Sequence, residues 1–207
     1  MEALKQGLLL DWHSASATFP ADMPSGDRGC AGRQGECVFA YTLDALGHGD
    51  EAHKVADIAA QFLQQSDWSQ SLVAIMRGCH QCLRGTRGAA VCLARLEPRN
   101  GMLEALSVGN IQVVHMRTSH SGIAQFKSLI MRAGVVGDRL PELRVSSMKV
   151  HAGDLLVMAT DGIGYDWRQA YRGSITPRDL AETLVARHCL GNDDALVLAL
   201  RFNGGEV

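Results

Sequence analysis

No run of apolar residues in this sequence approaches the roughly 20 positions that a bilayer crossing needs, and no repeat, low-complexity tract or linker interrupts it. Positive charge is not in excess either: 20 lysines and arginines stand against 22 acids, a formal net charge of −2. Without a basic stripe there is nothing to neutralise a nucleic-acid backbone, so neither nucleic acid nor membrane is expected as a partner. The opening residues Met1-Glu2-Ala3-Leu4-Lys5-Gln6 lack the form of a secretory signal, and a cytoplasmic protein is expected. Six cysteines in that setting are expected as reduced, buried small hydrophobes rather than as a disulfide framework. Cys79 and Cys82 have the spacing to share a helix face and hold a soft metal or a redox pair. They fall late in a predicted helix, however, where a thioredoxin-like motif would open one, and core packing is the preferred reading.

What is present suits one well-buried core: 207 residues, 46% of them apolar and 20% charged, read as a single domain over 1–207. Residues 4–17 and 36–43 read as strands, with a glycine-rich loop from Pro24 to Gly35 between them. After Gly49, the recurrence of Ala52, Val55, Ala56, Ala59, Phe62 and Leu63 has a helical period, with Asp50 and Glu51 suited to the helix start. A second helix is predicted from about Ser69, with Leu72, Met76, Cys79 and Leu83 as its buried stripe and Arg84-Gly85 as its stop. Strands follow at Ala89–Leu96, Met102–Val108 and Ile111–Met116, and the turns Asn100-Gly101 and Gly109-Asn110 predict an antiparallel meander. Further strands are expected at 123–131, 143–150, 154–160 and Ala195–Phe202. A helix opens at Thr176-Pro177-Arg178-Asp179, and a short one is expected around Trp167–Tyr171. Strand runs interrupted by a helical pair and one late helix predict an α+β chain of two packed sheets covered by helices.

Four aspartates lie in short motifs spread along the chain: Ser25-Gly26-Asp27, Asp44-Ala45-Leu46-Gly47-His48-Gly49, Thr160-Asp161-Gly162-Ile163 and Asn192-Asp193-Asp194. Carboxylates beside glycines suit hard divalent cations, which take oxygen ligands and profit from close backbone approach. Two such ions in one carboxylate cluster suit phosphoester hydrolysis. In their order and separation, and in the stretch His151-Ala152-Gly153-Asp154-Leu155-Leu156-Val157-Met158-Ala159-Thr160-Asp161-Gly162-Ile163, these motifs resemble the metal-dependent Ser/Thr protein phosphatases of the PPM family. The resemblance is to the SpoIIE-type branch, and within it to stand-alone stressosome phosphatases. It runs from about Ser25 to Phe202.

The resemblance implies a four-layer α-β-β-α sandwich of two antiparallel sheets flanked by helices, with two divalent ions, Mn²⁺ or Mg²⁺, at one edge. Asp44 would bridge the ions and the Ala45 carbonyl would take a further position. Asp161 and Asp193 would complete one set, and Asp27 would bind an ion or hold a ligating water. Asp44 and Asp161 are thereby the catalytic candidates. Asp194 stays open as an alternative to Asp193, and Asp166 as a helix cap or an extension of the site. The family's usual Asp-Gly is Asp44-Ala45 here, which is unstrained only at negative φ. Leu196 replaces a common hydroxyl residue two positions beyond the acidic pair. His48 reads as structural or as a general acid, and Arg28 and Arg33 as surface or phosphate-facing. The implied activity is hydrolysis of phosphoserine and phosphothreonine on STAS-domain stressosome proteins, within sigma-factor-controlling partner switching. A free anti-anti-sigma factor substrate and a catalytically weak binding module remain as alternatives.

Overall fold

The computed structural model describes residues 10–118, 124–170 and 175–204. Its elements, in chain order, are β1 (Leu10–Ala17), β2 (Asp27–Gln34), β3 (Cys37–Ala45), α1 (Gly49–Gln65), α2 (Leu72–Cys82), β4 (Ala89–Glu97), β5 (Met102–Val108), β6 (Gln112–Thr118), β7 (Ala124–Ser128), β8 (Ser146–Lys149), β9 (Leu155–Ala159), the single turn α3 (Trp167–Ala170), α4 (Pro177–His188) and β10 (Ala195–Phe202). The expected strand at 4–17 is seen from Leu10 onward, and its earlier part lies outside the described residues, as does Tyr171 of the expected short helix.

Among the described residues, ten strands form two five-stranded sheets, ordered β1-β10-β9-β6-β7 and β2-β3-β4-β5-β8, and every ladder in them is antiparallel. Alternation along the strands assigns side chains to layers. In β4, Ala90, Cys92 and Ala94 meet Leu196, Leu198 and Leu200 of β10 in the core between the sheets. Val91 and Leu93 point the other way, onto Ala52, Val55, Ala59, Ile75 and Met76 of α1 and α2. The outer face of the β1-β10-β9-β6-β7 sheet is covered by Leu180, Ala181 and Leu184 of α4 together with Trp167. The result is the α-β-β-α sandwich.

Helix ends follow their local chemistry. Ser71 accepts from the Ala74 amide to cap α2, and Thr176 accepts from the Asp179 amide to cap α4, with Pro177 in the first turn. Gly85, at φ +83°, follows α2 in the left-handed conformation open to glycine.

Two sequence expectations are corrected. The segment 24–35 is a loop only as far as Gly26, because from Asp27 it pairs residue for residue with β3 as strand β2. Its glycines serve close packing rather than turning. A Cβ on Gly29 would sit 2.8 Å from a Leu196 methyl, and one on Gly32 would sit 2.9 Å from the Phe39 ring. The Gly109-Asn110 turn joins no hairpin: β5 and β6 lie in different sheets, so the chain crosses the core there. Gly109, at φ +101°, packs so tightly on Ala90 that a side chain would run into it. The Asn100-Gly101 turn does close a hairpin, with the Gly101 amide donating to Glu97 O at 3.0 Å and β4 paired to β5.

Candidate active site

The inter-sheet core ends in acid. Asp44 closes β3 on the face that carries Val38 and Ala40 into that core, and its partner directly across the ladder is Asp27, the first residue of β2. Directly opposed side chains in an antiparallel pair have Cβ atoms about 5 Å apart, so these two carboxyls are neighbours by register alone. From the facing sheet, Thr160 and Asp161 follow β9, and Asp193 and Asp194 precede β10. Four aspartates far apart in sequence thus meet at one end of the sandwich.

Thr160 joins the two sheets at this point. Its hydroxyl donates to Asp27 Oδ2 at 2.7 Å and accepts from the Leu196 amide at 2.8 Å. The Thr160 amide in turn donates to Leu196 O at 3.0 Å. Asp27 is buried, and its other oxygen, Oδ1, has no hydrogen-bond partner. Asp161 accepts from the Asn110 side-chain amide. Gly162 is required by contact, because a Cβ there would collide with the Asp194 carbonyl oxygen.

The adjacent acids near the end of the chain have different jobs. Asp194 is buried and accepts from two backbone amides, Phe19 at 2.8 Å and Gly26 at 2.7 Å. It ties the chain after β1 and the loop before β2 to the start of β10. Asp193 is half-buried and accepts from the Asp194 amide at 2.8 Å. Its remaining oxygen is uncommitted, so Asp193 is the member of the pair free to take a ligand.

Electrostatics mark the cluster as short of positive charge. Burial, then Asp161, Asp193 and Asp194, push the Asp44 carboxyl up to about 7. Burial and Asp44 raise Asp27 well above the ordinary carboxylate value, against the Thr160 hydrogen bond that favours its ionised form. Asp161 is raised by burial and by Asp193. Like charges gathered in a partly desolvated place disfavour their own ionisation, and a bound cation reverses that penalty. An orphaned buried carboxylate oxygen and an all-oxygen donor set therefore fit a hard divalent ion. Among the described residues, no three acidic, histidine or cysteine side chains already close into a finished cage.

Other candidates fall elsewhere. Ala45 is buried, and among the described residues none other than glycine has positive φ, so the alanine in the Asp-Gly position is unstrained. Leu196 turns its side chain into the inter-sheet core and only its backbone reaches Thr160. His48 is exposed and precedes α1 without a side-chain capping bond. Arg28 is committed to Asp57 at 2.7 Å, to His53 and to the Ser25 and Asp27 carbonyls, pinning the loop before β2 onto α1. Arg33 donates to Gly35 O at 2.7 Å. Asp166 faces His188 at 3.2 Å. Cys79 is buried with its thiol pushed up to about 12 by burial, while Cys82 is exposed, and both are free thiols. Thr160 and Asn110 are site residues that motif reading passed over. The sequence carried a signal for each, since Thr160 adjoins Asp161 and Asn110 sits in a glycine turn, but the turn had a sufficient explanation as a hairpin.

The profile of Stage II sporulation protein E, SpoIIE, matches residues 34–203. The chain belongs to the SpoIIE family. Its sandwich is that of the family's PP2C-type phosphatase domains. No curated protein sequence matches it. A solved structure from work on the bacterial stressosome, a modular system adapted to control secondary messenger signaling, is 28% identical, with TM-score 0.82 over 93% of this chain and 99% of the other. RsbX in complex with magnesium is 16% identical, with TM-score 0.80 over 94% of this chain and 96% of the other. The PP2C phosphatase domain of SpoIIE from Bacillus subtilis, solved with a fragment of its regulatory domain, is 18% identical, with TM-score 0.75 over 96% of this chain and 64% of the other. At those last two identities the likeness is one of fold.

Proposed function

We propose that this SpoIIE-family chain is a metal-dependent protein phosphatase that hydrolyses phosphoserine and phosphothreonine on STAS-domain proteins of a stressosome. It would reset a bacterial partner-switching pathway that controls a sigma factor, as an RsbX-like enzyme. The observation that carries the reading is the register pair Asp27 and Asp44 facing Asp161 and Asp193 across the sheet ends, with Asp27 Oδ1 left unpartnered.

In this reading Asp27, Asp44, the Ala45 carbonyl, Asp161 and Asp193 hold two divalent ions, Mn²⁺ or Mg²⁺. Bound there, such ions lower the pKa of water toward neutrality and offset charge on phosphoryl oxygens. Asp44 and Asp161 are the residues whose loss ends catalysis. Thr160 orients Asp27, Asn110 orients Asp161, and Asp194 holds the backbone on which both acidic loops rest. A macromolecular substrate is supported by the surroundings. Phe19, Met23, Leu46, Tyr165 and Leu190 are exposed, and each lies on a segment that carries or touches the acids.

The test is phosphate release from a serine/threonine-phosphorylated STAS-domain protein, with and without Mn²⁺, for the native chain and Asp44→Asn. Removing a ligand forfeits several kcal/mol of charge stabilisation, so Asp44→Asn is expected to lose at least about a hundredfold in rate. Release that survives both chelation and Asp44→Asn refutes the metal assignment. A phosphorylated free anti-anti-sigma factor, run in parallel, separates the two substrate classes.

A further inference from the structure

A phosphate monoester brings close to two negative charges to a place where Asp27 and Asp44 already face each other across a ladder and Asp161, Asp193 and Asp194 stand at the ends of β9 and β10. A protein cation within reach of the incoming group would reduce that repulsion. Neither arginine of the strand β2 region is free to do so, because Arg28 and Arg33 are bonded to their own surroundings. Arg87 is free. It is exposed, and among the described residues it forms no hydrogen bond or ion pair. Its acidic neighbour Glu51 is paired to Lys54 at 2.8 Å.

The position of Arg87 is built. It leaves a turn between α2 and β4 in which Thr86 donates through its amide and its hydroxyl to Leu83 O, at 3.1 and 2.7 Å. The same hydroxyl accepts from the Gly88 amide at 3.0 Å. Gly88 O then accepts from the Leu46 amide at 3.1 Å, and Ala89 pairs with Ala45 across the ladder. The turn is thereby stitched to the two residues that follow Asp44. From it the guanidinium lies over Gly47, where a Cβ would come within 2.5 Å of Arg87 Nη1. Gly47, at φ +84°, adopts a conformation that favours glycine, and its bare backbone leaves room for the guanidinium beside the Asp44 loop.

We infer that Arg87 is a substrate-binding residue that receives the phosphoryl oxygens at this site, its fork of N–H groups matching two of them. The biological substrate rests on the phosphatase reading, whereas oxyanion binding by Arg87 needs no turnover. The probe is therefore inorganic phosphate, titrated calorimetrically into the full chain with and without Mg²⁺. Loss of a charge-assisted pair predicts that Arg87→Ala weakens phosphate binding about ten- to hundredfold. Arg87→Lys, with its charge but no fork, falls between, and the Mg²⁺ titration itself is unchanged in both variants. With a phosphoprotein substrate, Arg87→Ala raises KM more than it lowers kcat. Equal phosphate affinity in the native chain and Arg87→Ala overturns the inference. Arginine-dependent phosphate binding without phosphoprotein turnover upholds Arg87 and refutes the phosphatase reading instead.

Discussion

At the scale of single residues, neighbouring acids are set apart by their hydrogen bonds. Asp193 and Asp194 are identical in type and adjacent in sequence. Two backbone amides consume the oxygens of Asp194, while Asp193 keeps one oxygen open. Asp154, far along the same sandwich, shows a carboxylate that needs no ion. Burial works to raise it, but the His151 amide at 3.0 Å, Arg117 and His115 at 2.8 Å outweigh burial and hold it below the ordinary value. A carboxyl depressed in the folded state stabilises above its unfolded pKa, and that contribution is lost as pH falls through its folded pKa. Asp154→Asn is expected to cost about 1.5–3 kcal/mol near neutral pH, the range for hydrogen bonds to charged groups. Urea unfolding of both chains between pH 7 and pH 3 checks the sign, with the gap narrowing on the acid side of about pH 4. A constant gap across that range refutes it.

At the scale of elements, the site depends on close approaches that only glycine permits. Gly29 in β2 and Gly162 after Asp161 both face obstacles, but of different kinds: a leucine methyl for the first and the Asp194 carbonyl for the second. A methyl at the end of a side chain can rotate away, whereas a backbone carbonyl moves only with its strand. Gly162→Ala is therefore expected to cost about 1–3 kcal/mol in stability, as overpacking does, and also to weaken divalent-ion binding by prising Asp161 from Asp193. Gly29→Ala is expected to cost less and to leave ion binding intact. Chemical denaturation and Mn²⁺ titration of the two variants, side by side, make the comparison, and equal effects of both would refute the distinction.

At the scale of the whole molecule, two sheets hold a cluster of like charges between their ends, and folding without an ion bears that repulsion. A divalent ion that binds only the folded chain should raise its melting temperature. At a hundredfold excess over Kd, mass action contributes about 2.7 kcal/mol, or roughly 5–10 °C for a chain of this size. Asp44→Asn relieves repulsion, so its ion-free melting temperature should lie at or above the native one, with most of the ion-induced rise gone. Thermal melts with EDTA and with Mn²⁺ decide this, and an unchanged rise in Asp44→Asn would refute it. The sequence by itself determined the elements whose cause is local: the apolar period of α1, the Ser71 and Thr176 caps of α2 and α4, the Asn100-Gly101 hairpin, and the acidic motifs with their glycines. Their order was also enough to indicate the sandwich and the family. Only tertiary structure decided that glycine-rich β2 is a strand, that Gly109-Asn110 crosses between sheets, that Asp194 is tied to backbone amides while Asp193 is open, and that Arg87 lies over Gly47. Apart from the ladder of β2, whose partner β3 is the next strand, the deciding partner lies far away in the chain. A glycine that turns and a glycine that lets another segment come close look alike until that segment is in place.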